Sequence, residues 1–228
     1  MSTEMKDMTI WLYGAPYSGK TVFASNFPKA AVLSFDGNAQ HASNDAGEPL
    51  FKKEQIFNIK SLDEMQTALK KINASDKFET LIVDTIDILE QMVRQHVLDQ
   101  LDIEDESQGE GYGLAWRYSR EGFYKALFNM KKFKGNVIFV SWEDEYVETD
   151  KLGREFTKYR PLVNPKLHAR ISGLTTIIMR TIKKQTKDGF AYGLSIGGDA
   201  NELGGTRMTI KKNTIPNDYQ KFVENFVN

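Results

Sequence analysis

Gly14-Ala15-Pro16-Tyr17-Ser18-Gly19-Lys20-Thr21 satisfies G-x-x-x-x-G-K-[ST] at each constrained position. Its flanks decide what it means. Met8-Thr9-Ile10-Trp11-Leu12-Tyr13 is apolar and β-rich, and Val22-Phe23-Ala24-Ser25-Asn26-Phe27 reads as the first turns of a helix. A glycine-rich loop between a strand end and a helix N-terminus can turn its amides onto a phosphate, with positive helix-end potential behind them. Gly14 and Gly19 permit the turn. Lys20 is placed to reach β- and γ-phosphates, and the Thr21 hydroxyl to enter a Mg²⁺ shell. Residues 14–21 are therefore expected to hold a nucleoside triphosphate.

Working outward, strands and helices alternate through residue 142. Strands are expected at 30–35, 56–59, 78–84 and 136–141, and helices at 61–72, 86–101 and 114–133. Ser61 and Glu64 stand at capping-box spacing. Such alternation predicts a parallel, doubly wound α/β sheet. Beyond residue 144 the period changes. A hairpin is expected over 146–159, a short helix at 165–171, strands at 174–180, 190–196 and 207–212, and a final helix at 217–227. The expected arrangement is one domain over 1–228, with a nucleotide-binding core at about 8–143 and an antiparallel, basic extension at about 144–228.

A phosphate loop needs a carboxylate for the metal, and Leu81-Ile82-Val83-Asp84 delivers one at a strand end. Asp84 is expected to act through water and Thr21 directly. Asp36, ending the second strand, is the best-placed residue to orient an attacking water, because ligand chemistry in open α/β sheets gathers at strand C-termini. Asp87 and Glu90 either assist or simply occupy the first turn of the next helix. Ser141, Trp142 and Glu143 end another strand, where they could sense a γ-phosphate.

The 228 residues are 40% hydrophobic and 27% charged, within the range of globular proteins. No apolar run reaches spanning length. The N-terminal residues lack a signal-peptide pattern, and zero cysteines exclude disulfides and thiolate metal sites; both fit a cytoplasmic location. His41, His96 and His168 have no metal-ligand spacing. The net charge of −1 conceals a division: residues 1–150 carry 16 basic and 25 acidic residues, and 151–228 carry 14 and 6. That asymmetry points to a polyanion-binding face, to head-to-tail contact between subunits, or to a solvated basic surface. Lys151, Arg154, Lys158, Arg160, Lys166 and Arg170 are the candidate phosphate contacts, with Tyr146, Phe156 and Tyr159 available to stack on bases.

GAPYSGKT at 14–21, SFDGNAQ at 34–40, TLIVDT at 80–85, GYG at 111–113 and VIFVSWE at 137–143 together resemble the phage nucleotide-binding P-loop protein family, RecA-like in its core. YRPLVNPKLHARISGL at 159–174 and GGTRMTIKK at 204–212 extend the likeness over most of the chain. The resemblance implies an ATP- and Mg²⁺-dependent ATPase similar to Sak-type single-strand annealing proteins. It also implies single-stranded DNA as partner, a ring or filament of identical subunits, and a phage or host single-strand-binding protein as a possible associate. It places the strand ending at Ser141 between those ending at Gly14 and Asp84. Arg180 and Arg207, with Lys211 and Lys212 behind them, are candidates for a cation donated to a neighbouring subunit's site. Two departures stand out. Asn38 occupies the place of an activating glutamate, and Asn cannot accept a proton, which implies hydrolysis that is slow or dependent on Asp36. Trp142 replaces the His or Gln common at the sensor strand.

Two other functional classes share the phosphate loop: a nucleoside-monophosphate kinase with a lid at 154–170, and a nucleotide-dependent interaction module without turnover.

Overall fold

The computed structural model describes residues 6–44, 46–108, 113–187 and 189–227. Gly111 and Tyr112 of the GYG feature lie outside them. Eight strands follow the order β10-β8-β7-β1-β5-β4-β2-β3 across one sheet. Its parallel centre comprises β3 (Ile56–Asn58), β2 (Ala30–Ser34), β4 (Thr80–Asp84), β5 (Asn136–Thr149), β1 (Thr9–Gly14) and β7 (Ile177–Thr186). β8 (Gly189–Ser195) and β10 (Thr214–Pro216) add antiparallel to one edge. β6 (Glu155–Pro161) pairs with the far half of β5, and β9 (Gly205–Thr206) with the start of β7. β5 does lie between β1 and β4.

β1, β2 and β4 are buried at every residue, as expected of parallel strands covered on both faces. Alternation divides their side chains between two cores. Trp11, Tyr13, Leu33, Leu81, Val83 and Phe139 face a layer that includes residues of α2 (Leu62–Asn73), α3 (Ile86–Leu101), α4 (Leu114–Met130) and α5 (His168–Leu174). Ile10, Leu12, Val32, Ile82, Ile138 and Met179 face the other, closed by α1 (Lys20–Ser25) and α6 (Tyr219–Glu224). There Phe222 meets Phe23 edge to face at 5.2 Å. Ser61 accepts from the Glu64 amide and Asp218 from the Lys221 amide, setting the starts of α2 and α6.

Two expectations change. β5 does not stop at Ser141 but runs unbroken to Thr149, because β6 supplies a partner for its exposed half. Residues 207–212 are not a strand: Arg207 N bonds Thr176 O, while Lys211 N to Asn225 O and Val227 N to Thr209 O tie the rest to the C-terminal tail, and β10 takes the edge position instead. The hairpin and short helix expected over 146–171 are present as β5–β6, a 3-10 turn and the start of α5, and the alternative lid at 154–170 finds no separate helical segment among the described residues. No helix among the described residues is long and apolar enough to cross a membrane.

Candidate functional site

The register places Gly14 between Trp142 of β5 and Thr181 of β7. β1 ends there, while both neighbours continue past it. A Cβ on Gly14 would stand 2.1 Å from Thr181 Oγ1, so the side-chain-free position follows from close strand approach. Tyr17 and Gly19 take positive φ, 60° and 90°, and Tyr17 points outward, 89% exposed. Ser18 Oγ bonds Ala15 O at 2.7 Å and Thr181 Oγ1 at 2.5 Å, while Asn217 Nδ2 donates to Gly19 O at 3.3 Å. Strands and C-terminal chain therefore hold the loop 14–21 in a defined curve.

Lys20 begins α1, is buried, and donates from Nζ to Gly14 O at 2.7 Å and Ala15 O at 2.8 Å. Burial lowers its pKa, against the carboxylates of Asp84, Asp87 and Glu143. Its ammonium thus lies curled over the loop it would serve. Thr21 Oγ1 donates to Asp84 Oδ2 at 2.9 Å. Burial raises Asp84 to about 6, with the Thr21 hydrogen bond acting the other way.

These residues suit a magnesium–triphosphate group. A hydroxyl and a carboxylate oxygen in contact form a hard donor pair, and a buried cation stands within the same electrostatic field. Among the described residues no cluster of three or more His, Asp or Glu could hold a metal by itself. Mg²⁺ usually takes one or two protein oxygens, with phosphate and water completing its shell.

The remaining expected residues are distributed as follows. Asp36 binds Asn38 through both oxygens, accepting from its amide N and its Nδ2 at 2.9 Å each, and receives the Ser34 hydroxyl at 3.2 Å. It lies close enough to Asp84 to raise that group's pKa. Ser141 Oγ accepts from Trp11 Nε1 at 2.8 Å, and the Trp142 amide donates to Asp87 Oδ2 at 2.8 Å. Asp87 is 3% exposed, its Oδ1 has no hydrogen-bond partner, and burial lifts its pKa to about 7. A motif scan sees only an acidic residue in the first turn of α3; its burial depends on β5 packing over that turn.

Arg180 donates to Glu143 Oε2 at 2.6 Å and Glu202 Oε2 at 3.1 Å and stacks 3.5 Å from the centre of the Tyr159 ring. Its side chain is only 16% exposed, so in this subunit it is an internal ion pair rather than a free surface cation. Arg207 bonds the carbonyls of Thr175 and Gly173, beside the N-terminal end of β7 and across the sheet from the loop 14–21. Lys211 Nζ caps Glu224 O at 2.6 Å.

Of the expected phosphate contacts, four are already paired: Arg154 with Asp150, Lys158 with Glu148, Arg160 with Asp144 and Arg170 with Glu121. Lys151 and Lys166 are exposed. Each of those four pairs, like Arg180–Glu143, joins the basic segment to the acidic one, so the division of charge along the sequence is partly cancelled in space. Arg160 also covers Tyr146 at 4.1 Å, leaving Phe156 as the most open of the three aromatic candidates. His41 and His96 are exposed, and His168 bonds Val163 O and meets Trp11 edge-on.

The family model described as an AAA domain matches residues 6–215. Among solved structures, the chain is similar to the KaiC-like protein PH0186 from the hyperthermophilic archaeon Pyrococcus horikoshii OT3, with a TM-score of 0.52 and 14% identity over 92% of this chain and 85% of that one. At that identity the likeness establishes the fold, an α/β RecA-like architecture. No curated protein sequence matches the chain. With the family model spanning most of its length, the chain belongs to the AAA-domain family of P-loop ATPases.

Proposed function

We propose that this protein is a Mg²⁺-dependent ATPase acting with single-stranded DNA in recombination or replication, in the manner of the Sak-type phage proteins it resembles. The observation that carries the ATPase reading is the meeting of Lys20, Thr21 and Asp84 at one end of the parallel sheet. Main-chain groups of residues 14–21 would cradle the phosphates, with Lys20 swinging from Gly14 O to the β- and γ-oxygens. Thr21 and Asp84 would hold the Mg²⁺. The metal, when bound, neutralises charge on the phosphate oxygens. Asp36, whose charge reaches Asp84, and Asp87, whose charge reaches Lys20, are the carboxylates that would orient water. Arg207, after β9, would act across a subunit boundary in a ring or filament, in the host cytoplasm. A phage or host single-strand-binding protein would be a natural associate.

ATP turnover measured with and without an oligonucleotide tests this reading. Stimulation by single-stranded DNA, abolished by Lys20→Ala, supports it; absence of any oligonucleotide binding at low salt contradicts the DNA part. One observation favours a second reading, a nucleotide-dependent interaction module without turnover: both Asp36 oxygens are engaged by Asn38. Wild-type protein that binds MgATP but releases no phosphate in hours would select it.

A further inference from the structure

Of the ten cations of residues 151–187, Lys151 and Lys166 are exposed with no ion-pair partner among the described residues; the other eight fall into two sets. Five of them meet carboxylates, as described above. Among the described residues Lys183, Lys184 and Lys187 have no ion-pair partner, and all three are exposed. They belong to one ribbon, the β7–β8 hairpin, which projects beyond the end of β1. Its register sets Lys183 opposite Tyr192 and Gln185 opposite Phe190, so these four side chains share a face. On that face Phe190 is 57% and Tyr192 42% exposed. Lys183 Nζ stands 4.1 Å from the Phe190 ring centre and 5.8 Å from that of Tyr192. Lys184, opposite Ala191, takes the other face, and Lys187 sits at the turn.

The ribbon is joined to the loop 14–21 at two points. Thr181 at its base touches Ser18, and Tyr192 O accepts from the amide of Asn217, whose side chain bonds Gly19 O.

Resting on the reading of single-stranded DNA as partner, we propose that the β7–β8 ribbon is its contact surface, with Lys183, Lys184 and Lys187 on phosphates and Phe190 and Tyr192 against bases. Unpaired lysines release counterions from a phosphate chain without first giving up a protein carboxylate. Exposed rings beside Lys183 offer the stacking platform that a single strand uses and a duplex does not. Arg154, Lys158, Arg160 and Arg170, each held by a carboxylate, lack the first property. Attachment to Ser18 and Gly19 gives the ribbon a direct mechanical route to the nucleotide loop.

The test is fluorescence anisotropy of labelled oligothymidylate against the full chain over a salt series, with MgATP affinity measured in parallel. Replacing the three lysines together by Gln is expected to flatten the log–log salt slope by about two. Phe190→Ala is expected to weaken DNA binding about tenfold. Lys158→Gln, whose ammonium Glu148 holds, should stay within about twofold of wild type, and all three variants should bind MgATP normally. Wild-type slope and affinity in the triple-lysine and Phe190 variants would overturn the ribbon while leaving the DNA reading intact. No DNA binding by the wild type would remove both. Weakened MgATP binding by Phe190→Ala with unchanged DNA affinity would reassign the aromatic face to the nucleotide.

Discussion

Thr21 Oγ1 and Asp84 Oδ2 lie 2.9 Å apart although 63 residues separate them in the chain. Thr21 is held at the start of α1 and Asp84 at the end of β4, and β5 fixes the spacing between their strands. The pair is a ready donor set for a hard cation, and it gives the metal a titratable partner. Asp84→Asn and Thr21→Ala should each remove most of the Mg²⁺-dependent gain in nucleotide affinity, by about tenfold or more, while metal-free nucleotide binding changes little. Calorimetry with ATP in Mg²⁺ and in EDTA separates the two. Equal losses in both buffers would show that the pair only supports the loop.

The same burial predicts pH dependence. Asp84 and Asp87 have folded-state pKa values raised to about 6 and about 7. An acid whose pKa rises on folding favours the folded state at low pH, and that contribution is lost as pH rises through its folded value. Unliganded protein should therefore lose stability as pH rises from about 4 to about 7, by up to several kcal/mol at about 1.4 kcal/mol for each pKa unit, and change little above about pH 7. The slope should flatten in an Asp84→Asn/Asp87→Asn variant. Thermal melts across that range check it, and an unchanged slope in the variant would contradict the assignment.

Gly14 tests the strand geometry. A methyl group there meets Thr181 Oγ1 at 2.1 Å and Thr181 O at 2.8 Å. Gly14→Ala should destabilise the fold by about 1–3 kcal/mol. Adding Thr181→Ala should recover only part of that, since the carbonyl contact remains. Chemical denaturation of both variants reads the difference.

Arg180 separates two roles. Truncating it leaves Glu143 and Glu202, each 9% exposed at the side chain, buried without their cation. Arg180→Ala should cost about 3 kcal/mol or more of stability. An intact melting curve with selective loss of turnover in mixed assemblies with wild-type subunits would instead mark it as a cation given to a neighbour.

How much of this is legible in the sequence depends on the range of the interaction. The turn at Gly14–Thr21 and the apolar run into Asp84 are local chemistry, readable from consecutive residues. The parallel sheet follows from alternation of period, and the place of β5 came only with the family resemblance. Pairings between distant side chains are hidden. Nothing near Arg180 in sequence announces Glu143, and Arg160 reads as a free cation until β6 lies against β5 and brings Asp144 to it. Asp87 looks like an ordinary helix-start acid until packing shuts it from water. Residues 207–212 have strand composition, but from Thr209 onward their backbone partners come from the C-terminal tail, which no local pattern encodes.

The account stands on the loop around Lys20 as a triphosphate site, and isothermal titration of the folded wild-type chain with MgATP measures that directly. The expected result is one saturable site per chain, lost in Lys20→Ala with its melting transition preserved. Heat indistinguishable from dilution in the wild type, for both ATP and GTP, would contradict it.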